Sequence, residues 1–153
     1  MTRACPATPT RHGAWAALVT VLALAGCSPT PAPPSAQTLA LGQRLYGAHC
    51  AACHGTQLEG QPDWRTRRAD GRLPAPPHDA SGHTWHHADA VLFEITKHGV
   101  QRFAGPDYQS DMPAFAGTLS DDEIRAVLAY IQSTWPTTIR AQQAQITAQA
   151  GRR

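Results

Sequence analysis

Two cysteines with two residues between them, and a histidine directly after the second, stand at Cys50-Ala51-Ala52-Cys53-His54. Thiols at this spacing can reach both vinyl groups of one porphyrin. The adjacent imidazole is then held where it can ligate the iron, so the pentapeptide reads as a site of covalent haem attachment. Cysteines so spaced also serve as a redox dithiol or as half of a zinc site. A zinc site asks for a second cysteine pair or a His-x-His group, and the chain has no second pair. A redox dithiol asks for a strand–helix setting, which residues 39–49 do not provide. The other two cysteines, Cys5 and Cys27, belong to the N-terminal segment, so none is left for a structural disulfide.

A six-coordinate iron needs a second ligand. The chain has two methionines, Met1 and Met112. Met1 is expected to leave with a leader, which makes Met112 the remaining thioether. It sits in Asp111-Met112-Pro113-Ala114-Phe115, a loop ahead of the last helix. A thioether is a soft ligand that favours ferrous iron and raises the reduction potential.

Gly42-Gln43-Arg44-Leu45-Tyr46, Cys50 to Gly55, Met112-Pro113-Ala114-Phe115 and Leu119 to Tyr130 together resemble the class I cytochrome c domain, over most of residues 37–136. The resemblance implies an all-α fold: a helical wrap around one covalently attached haem c, with crossing first and last helices and a long loop. It implies that His54 is the proximal ligand and Met112 the distal one. It implies that a proline carbonyl after the haem motif accepts the other N–H of His54; Pro74 and Pro76 both fit. It further implies that Gly42 meets an aromatic residue of the last helix, with Tyr130 the candidate. The function that follows is electron transfer between a donor and an acceptor protein, neither identified by the sequence, with no enzymatic activity because Met112 closes the iron. Two rivals remain: a copper-handling or redox-sensing haem protein, and the cytochrome subunit of a dehydrogenase complex.

The elements that must position these residues are legible to different degrees. The last helix opens with Ser120 as N-cap and Glu123 at the third helical position, a capping box, with Leu119 and Ile124 as its hydrophobic staple. Ile124, Val127, Leu128, Ile131 and Trp135 share one apolar face, and Pro136 stops the helix. The first helix spans about Thr38–His49. Gly42 costs it roughly 1 kcal/mol against alanine, tolerable where another backbone approaches closely. A middle helix is expected over about His86–Lys97, capped by Thr84, with Ala88, Val91, Leu92 and Ile95 inward and Gly99 at its C-terminus. Residues 137–153 read as a Gln/Ala-rich tail, helical at most loosely and mobile, because Ile139 and Ile146 are too few to dock it.

Residues 61–85 exceed what a minimal domain of this kind needs. They hold Arg65, Arg67, Arg68 and Arg72, whose guanidiniums match the carboxylates of haem propionates. Arg72 is the arginine singled out for that role. Trp64 and Trp85 are candidates to cover the haem edge. His78, His83, His86 and His87 lie within ten residues. Imidazoles so clustered can bind copper or zinc. The plainer reading makes them surface residues, one or two of them satisfied by propionates or backbone.

The N-terminus places the protein. Arg3, Arg11 and His12 precede an apolar run from Ala14 to Ala25, too short to span a bilayer but suited to a secretion signal. The run closes in Leu24-Ala25-Gly26-Cys27, which resembles a bacterial lipobox. By that resemblance residues 1–26 are removed and Cys27 is lipidated. Ser28 after it slightly favours the outer membrane over the inner. Residues 27–36, rich in proline, read as an extended tether between the lipid and a domain at 37–136. The expected location is the cell envelope, facing the periplasm. Without Arg3 and Arg11 the 13 Lys and Arg fall to 11, against 11 Asp and Glu. Such a neutral balance gives no reason to expect nucleic-acid binding.

Overall fold

In the computed structural model, residues 32–152 are described. The leader expected at 1–26, the lipidation expected at Cys27 and the first part of the expected tether lie outside them. Every regular element among the described residues is helical, in agreement with the all-α reading.

Helix α1 spans Ala36–His49, two residues earlier than the sequence suggests. Ser35 explains the difference: its hydroxyl accepts the Thr38 N–H at 3.1 Å, satisfying one of the orphan donors of the first turn. Helix α2, Ala51–His54, continues the chain through the cysteine motif. Helix α3 spans Asp89–His98 and ends at Gly99, whose φ of 84° suits glycine. A one-turn helix, α4, follows at Gln101–Ala104. Helix α5 spans Asp121–Ser133 and carries the full capping box: Glu123 N–H to the Ser120 hydroxyl at 3.3 Å, and Ser120 N–H to the Glu123 carboxylate at 2.8 Å. Helix α6, Thr137–Ala150, starts just after Pro136.

Helices α1 and α5 cross at Gly42. A Cβ there would strike the Ala126 carbonyl and come within 2.9 Å of the Tyr130 Cβ. The glycine therefore permits backbone-to-backbone approach, with Tyr130 as its aromatic neighbour. Two apolar clusters grow from this crossing. One joins Tyr46, Leu58, Val127, Ile131 and Trp135. The other joins Leu92, Phe115, Leu119, Ile124 and Leu128. Leu45 packs against both.

The middle of the chain departs from the sequence reading. Residues Thr84–His86 form a separate 3-10 turn, and α3 begins only at Asp89, after Ala88, which offers no side-chain cap. Thr84 does not cap. It is buried, and its hydroxyl is engaged with His78 Nδ1 at 2.8 Å. The start of α3 is capped from elsewhere: the Asp89 N–H donates to the Thr147 hydroxyl of α6 at 3.0 Å.

That contact belongs to a second departure. Where composition points to a mobile tail, the structure has α6 docked along the Thr84–His87 segment. The docking is largely polar. Gln143 is 5 % exposed, and its amide donates to the Asp89 carboxylate at 2.6 Å and to the His87 carbonyl at 3.3 Å. Gln132 of α5 donates to the same Asp89 oxygen at 2.7 Å. Ile139 adds an apolar contact to the Tyr46 cluster.

Candidate functional site

Cys50 closes α1 and opens α2. Its N–H donates to the Tyr46 carbonyl at 2.9 Å, and its carbonyl accepts from His54 at 2.9 Å. One helical turn thus separates the two thiols and delivers His54 directly after the second. Burial, with Cys53 beside it, pushes the Cys50 thiol up to about 11. The chain turns away at Gly55, where φ is 82° and a Cβ would meet the Glu59 carboxylate. Tyr46 fixes this exit: its hydroxyl, buried in the core, donates to the Gly55 carbonyl at 2.8 Å. Desolvation first, then the neighbouring Cys50, raises the Tyr46 pKa and keeps the phenol protonated.

His54 is 7 % exposed. Its Nδ1 lies 2.8 Å from the Pro76 carbonyl oxygen. A carbonyl can only accept, so Nδ1 carries the proton and the Nε2 lone pair is left for a ligand bond. Burial lowers the His54 pKa, and the bond to Pro76 partly opposes this. Of the two prolines left open by the sequence, Pro76 is the acceptor; Pro74 is buried nearby in the same segment. Two glycines press the Pro76–Pro77 backbone into place. A Cβ on Gly60 would come within 2.7 Å of the Pro76 carbonyl carbon, and one on Gly82 would strike the Pro77 carbonyl.

Among the described residues no group of three or more His, Cys, Asp or Glu side chains is placed to hold a metal ion. The rings of the histidine segment are paired with aromatic neighbours. His78 stacks on His54, centroids 4.0 Å apart and planes at 21°. Burial, then His54 and His83, pulls the His78 pKa well below the ordinary histidine range. His83 stacks on Trp64 at 5.3 Å, and His86 on Trp85 at 3.6 Å. His83 and His87 meet edge to face at 5.5 Å.

Trp64 also carries the Arg65 guanidinium over its ring, 4.1 Å from the centroid. Trp85 packs against the Tyr46 cluster. Its indole N–H is buried without an acceptor, and so is Nε of Arg72. Each such donor carries a desolvation cost of about 1–3 kcal/mol unless something accepts from it. The carboxylates of a porphyrin are acceptors of the required kind. Two thiols at helix-turn spacing, an imidazole with its Nε2 free and two waiting donors therefore fit a covalently bound haem.

Met112 is partly buried against Leu92, Phe115, Leu119, Ile124 and Leu128. Its loop is tied to the end of α3, Phe115 N–H to the Thr96 carbonyl at 3.1 Å and Ala116 N–H to Lys97 at 3.0 Å. The loop is also tied to the arginine segment, which sequence reasoning missed. Asp111, directly before Met112, accepts from Arg72 at 2.7 Å and from Arg68 at 3.1 Å. The available signal was one carboxylate beside the methionine and a cluster of arginines in need of acceptors.

The cytochrome c family model matches residues 39–135. A cytochrome c6 of Tetradesmus obliquus is 35 % identical over 94 residues, covering 61 % of this chain and 86 % of the relative. A cytochrome c6 of a Picosynechococcus strain is 34 % identical over 115 residues, covering 74 % of this chain and 86 % of the relative. No solved structure matches.

Proposed function

We propose, since this chain belongs to the cytochrome c family, that it is a membrane-tethered one-electron carrier whose iron is closed on one side by His54 and on the other by Met112. The chain carries haem c, bound covalently through Cys50 and Cys53, and its chemistry is haem-based electron transfer. When bound, the haem supplies the ferric–ferrous couple. The chain supplies the rest. Pro76 fixes the His54 tautomer. Met112 offers a soft sulfur that favours the ferrous state. Trp85 and Arg72 offer N–H groups to the propionates. His54 and Met112 would together hold the iron, which would leave no place on it for a substrate, and no bond-making residue is required.

The observation that carries this reading is the 2.8 Å contact between His54 Nδ1 and the Pro76 carbonyl, immediately after the two thiols. It leaves Nε2 of a buried, neutral imidazole free for iron. The test is the absorption spectrum of the haem-loaded protein in both redox states. A weak far-red band of sulfur-ligated ferric haem is expected, and Met112→Ala should abolish it. A wild-type spectrum without that band sinks the His/Met reading and moves an open or bis-imidazole iron to the front.

The tether rests on the lipobox-like run ending at Cys27 and the proline-rich stretch after it. Among the described residues no helix is long and apolar enough to cross a membrane, so a lipid on Cys27 is what would hold the domain at a periplasm-facing membrane. Ser28 tips the choice toward the outer membrane. Cys27→Ser should move the protein from the membrane fraction to the soluble envelope fraction; a variant that stays in the membrane fraction rules the lipid anchor out.

A further inference from the structure

The residue before Met112 joins the two sides of the proposed iron site. Each carboxylate oxygen of Asp111 takes a different arginine: Oδ1 accepts from Arg72 Nη1 at 2.7 Å, and Oδ2 from Arg68 Nη1 at 3.1 Å. With both oxygens engaged, the carboxylate cannot rotate without losing a charge-assisted bond. The arginines are themselves positioned by backbone. Arg68 N–H donates to the Arg72 carbonyl at 2.9 Å, and Gly71 N–H to the Arg68 carbonyl at 2.9 Å, so one tight turn presents both cations.

From Arg68 the contacts run on to the proximal imidazole. Arg68 Nη2 donates to Gln61 Oε1 at 2.8 Å. Gln61 grips Ala75 twice: its N–H donates to the Ala75 carbonyl at 2.9 Å, and its Oε1 accepts the Ala75 N–H at 2.9 Å. Ala75 is bonded to Pro76, whose carbonyl holds His54. An unbroken chain of covalent and hydrogen bonds therefore links His54 to Met112 through Pro76, Ala75, Gln61, Arg68 and Asp111. Arg67, placed over the Tyr108 ring at 5.6 Å, braces the same two loops a few residues away.

We propose that Asp111 is a positioning residue: gripped by Arg68 and Arg72, it fastens the Met112 loop to the segment that holds Pro76 against His54, and so keeps an outside ligand from displacing the thioether. This rests on the His54/Met112 reading above. The ion pairs are about two-fifths exposed, where a single pair contributes little. Here one carboxylate serves two cations on a pre-formed turn, a network in which the pairs support each other. The effect is a bias on loop opening, strong at low salt and weakened by screening.

The experiment titrates the ferric, haem-loaded protein with imidazole and follows loss of the far-red band. Asp111→Asn should bind imidazole roughly three- to tenfold more tightly than wild type, the size expected of a small ion-pair network. Arg68→Gln should shift the affinity in the same direction, and the Asp111→Asn/Arg68→Gln double variant should add little to Asp111→Asn, because both changes act on one linkage. Arg72 is left in place because its Nε is held for a propionate. Asp111→Glu should recover most of the wild-type behaviour. The unaltered protein supplies a measurement that depends on no variant folding: its imidazole affinity should rise with sodium chloride, while that of Asp111→Asn stays flat. A wild-type protein with the band, but with equal affinity in Asp111→Asn, additive effects in the Asp111→Asn/Arg68→Gln double variant or no salt dependence, overturns the clamp alone. A wild-type protein without the band overturns both the clamp and the ligation it rests on.

Discussion

The indole N–H of Trp135 donates to the backbone carbonyl of His78 at 2.7 Å. The two residues are far apart in sequence. Trp135 is buried just beyond the end of α5, and His78 follows the proline pair that serves His54. The bond ties the end of the helical core to the proximal segment, while the ring itself fills the Tyr46 cluster. Trp135→Phe keeps most of the apolar contact but orphans the carbonyl. A loss of about 1–2 kcal/mol in urea unfolding is expected. Trp135→Ala adds the cavity, for a loss of about 3–5 kcal/mol. A phenylalanine variant as stable as wild type would show that the bond contributes nothing.

Two glycines of α1 should respond in opposite directions to the same change. Gly47→Ala meets nothing within 4 Å, so the helix gains up to about 1 kcal/mol from alanine's better propensity. Gly42→Ala places a methyl against the Ala126 carbonyl. The crossing must then open, at about 1–3 kcal/mol. Thermal unfolding of the two variants side by side checks the contrast.

The capping box of α5 gives a pH-dependent prediction. The Ser120 backbone N–H, then its hydroxyl, holds the Glu123 carboxyl below its usual range. The folded pKa lies under the unfolded one, so the stabilisation is present above the ordinary glutamate value. It is lost as pH falls through the lower folded value. Ser120→Ala should cost about 1 kcal/mol near neutrality, and the deficit should shrink in acid as Glu123 protonates. A deficit independent of pH would mean that the carboxylate takes no part.

His83 and His87 have the opposite requirement, since their surroundings favour the neutral ring. Burial first, then His87, His86 and Arg65, lowers the pKa of His83, and burial with His86 lowers that of His87. The folded state therefore binds fewer protons than the unfolded state below the ordinary histidine range. Stability should decline as pH drops from about 6.5. His83→Gln should flatten that decline in chemical unfolding measured across pH 5–8. An unchanged slope would place the effect elsewhere.

Trp85 provides a test of haem fit that is independent of the axial ligands. In the haem-loaded protein, Trp85→Phe removes a donor to a charged acceptor. A stability loss of about 1.5–3 kcal/mol is expected, with a lower reduction potential, because the propionate charge is then less compensated. If stability and potential both stay at wild-type values, the indole N–H does not serve the propionates.

The parts of the fold written in local pattern could be read from the sequence, and the parts settled by tertiary hydrogen bonds could not. The Ser120–Glu123 box, the Ile124 to Trp135 face and the Gly42–Tyr130 approach all appear in the structure. Thr84 has good N-cap chemistry, but His78 competes for its hydroxyl and wins, which delays α3 to Asp89. The docking of α6 escaped a count of apolar positions because Gln143 makes it with amide hydrogen bonds. The choice of Pro76 over Pro74 depended on where Gly60 and Gly82 press the backbone. The Asp111 pairs span 39 and 43 residues of sequence, beyond any local signal.

Thr147, which caps α3 from across the fold, lies beyond the 39–135 stretch that matches the family, whereas Asp89 lies inside it. The contact is 58 residues long in sequence, so it forms only once both ends of the domain have been brought together. Among the first N–H groups of α3, the Asp89 amide is shielded by α6 rather than by its own helix. Its exchange with deuterium therefore reports release of the C-terminal helix, and a single backbone proton becomes a gauge of whether that helix opens on its own or only with the whole domain.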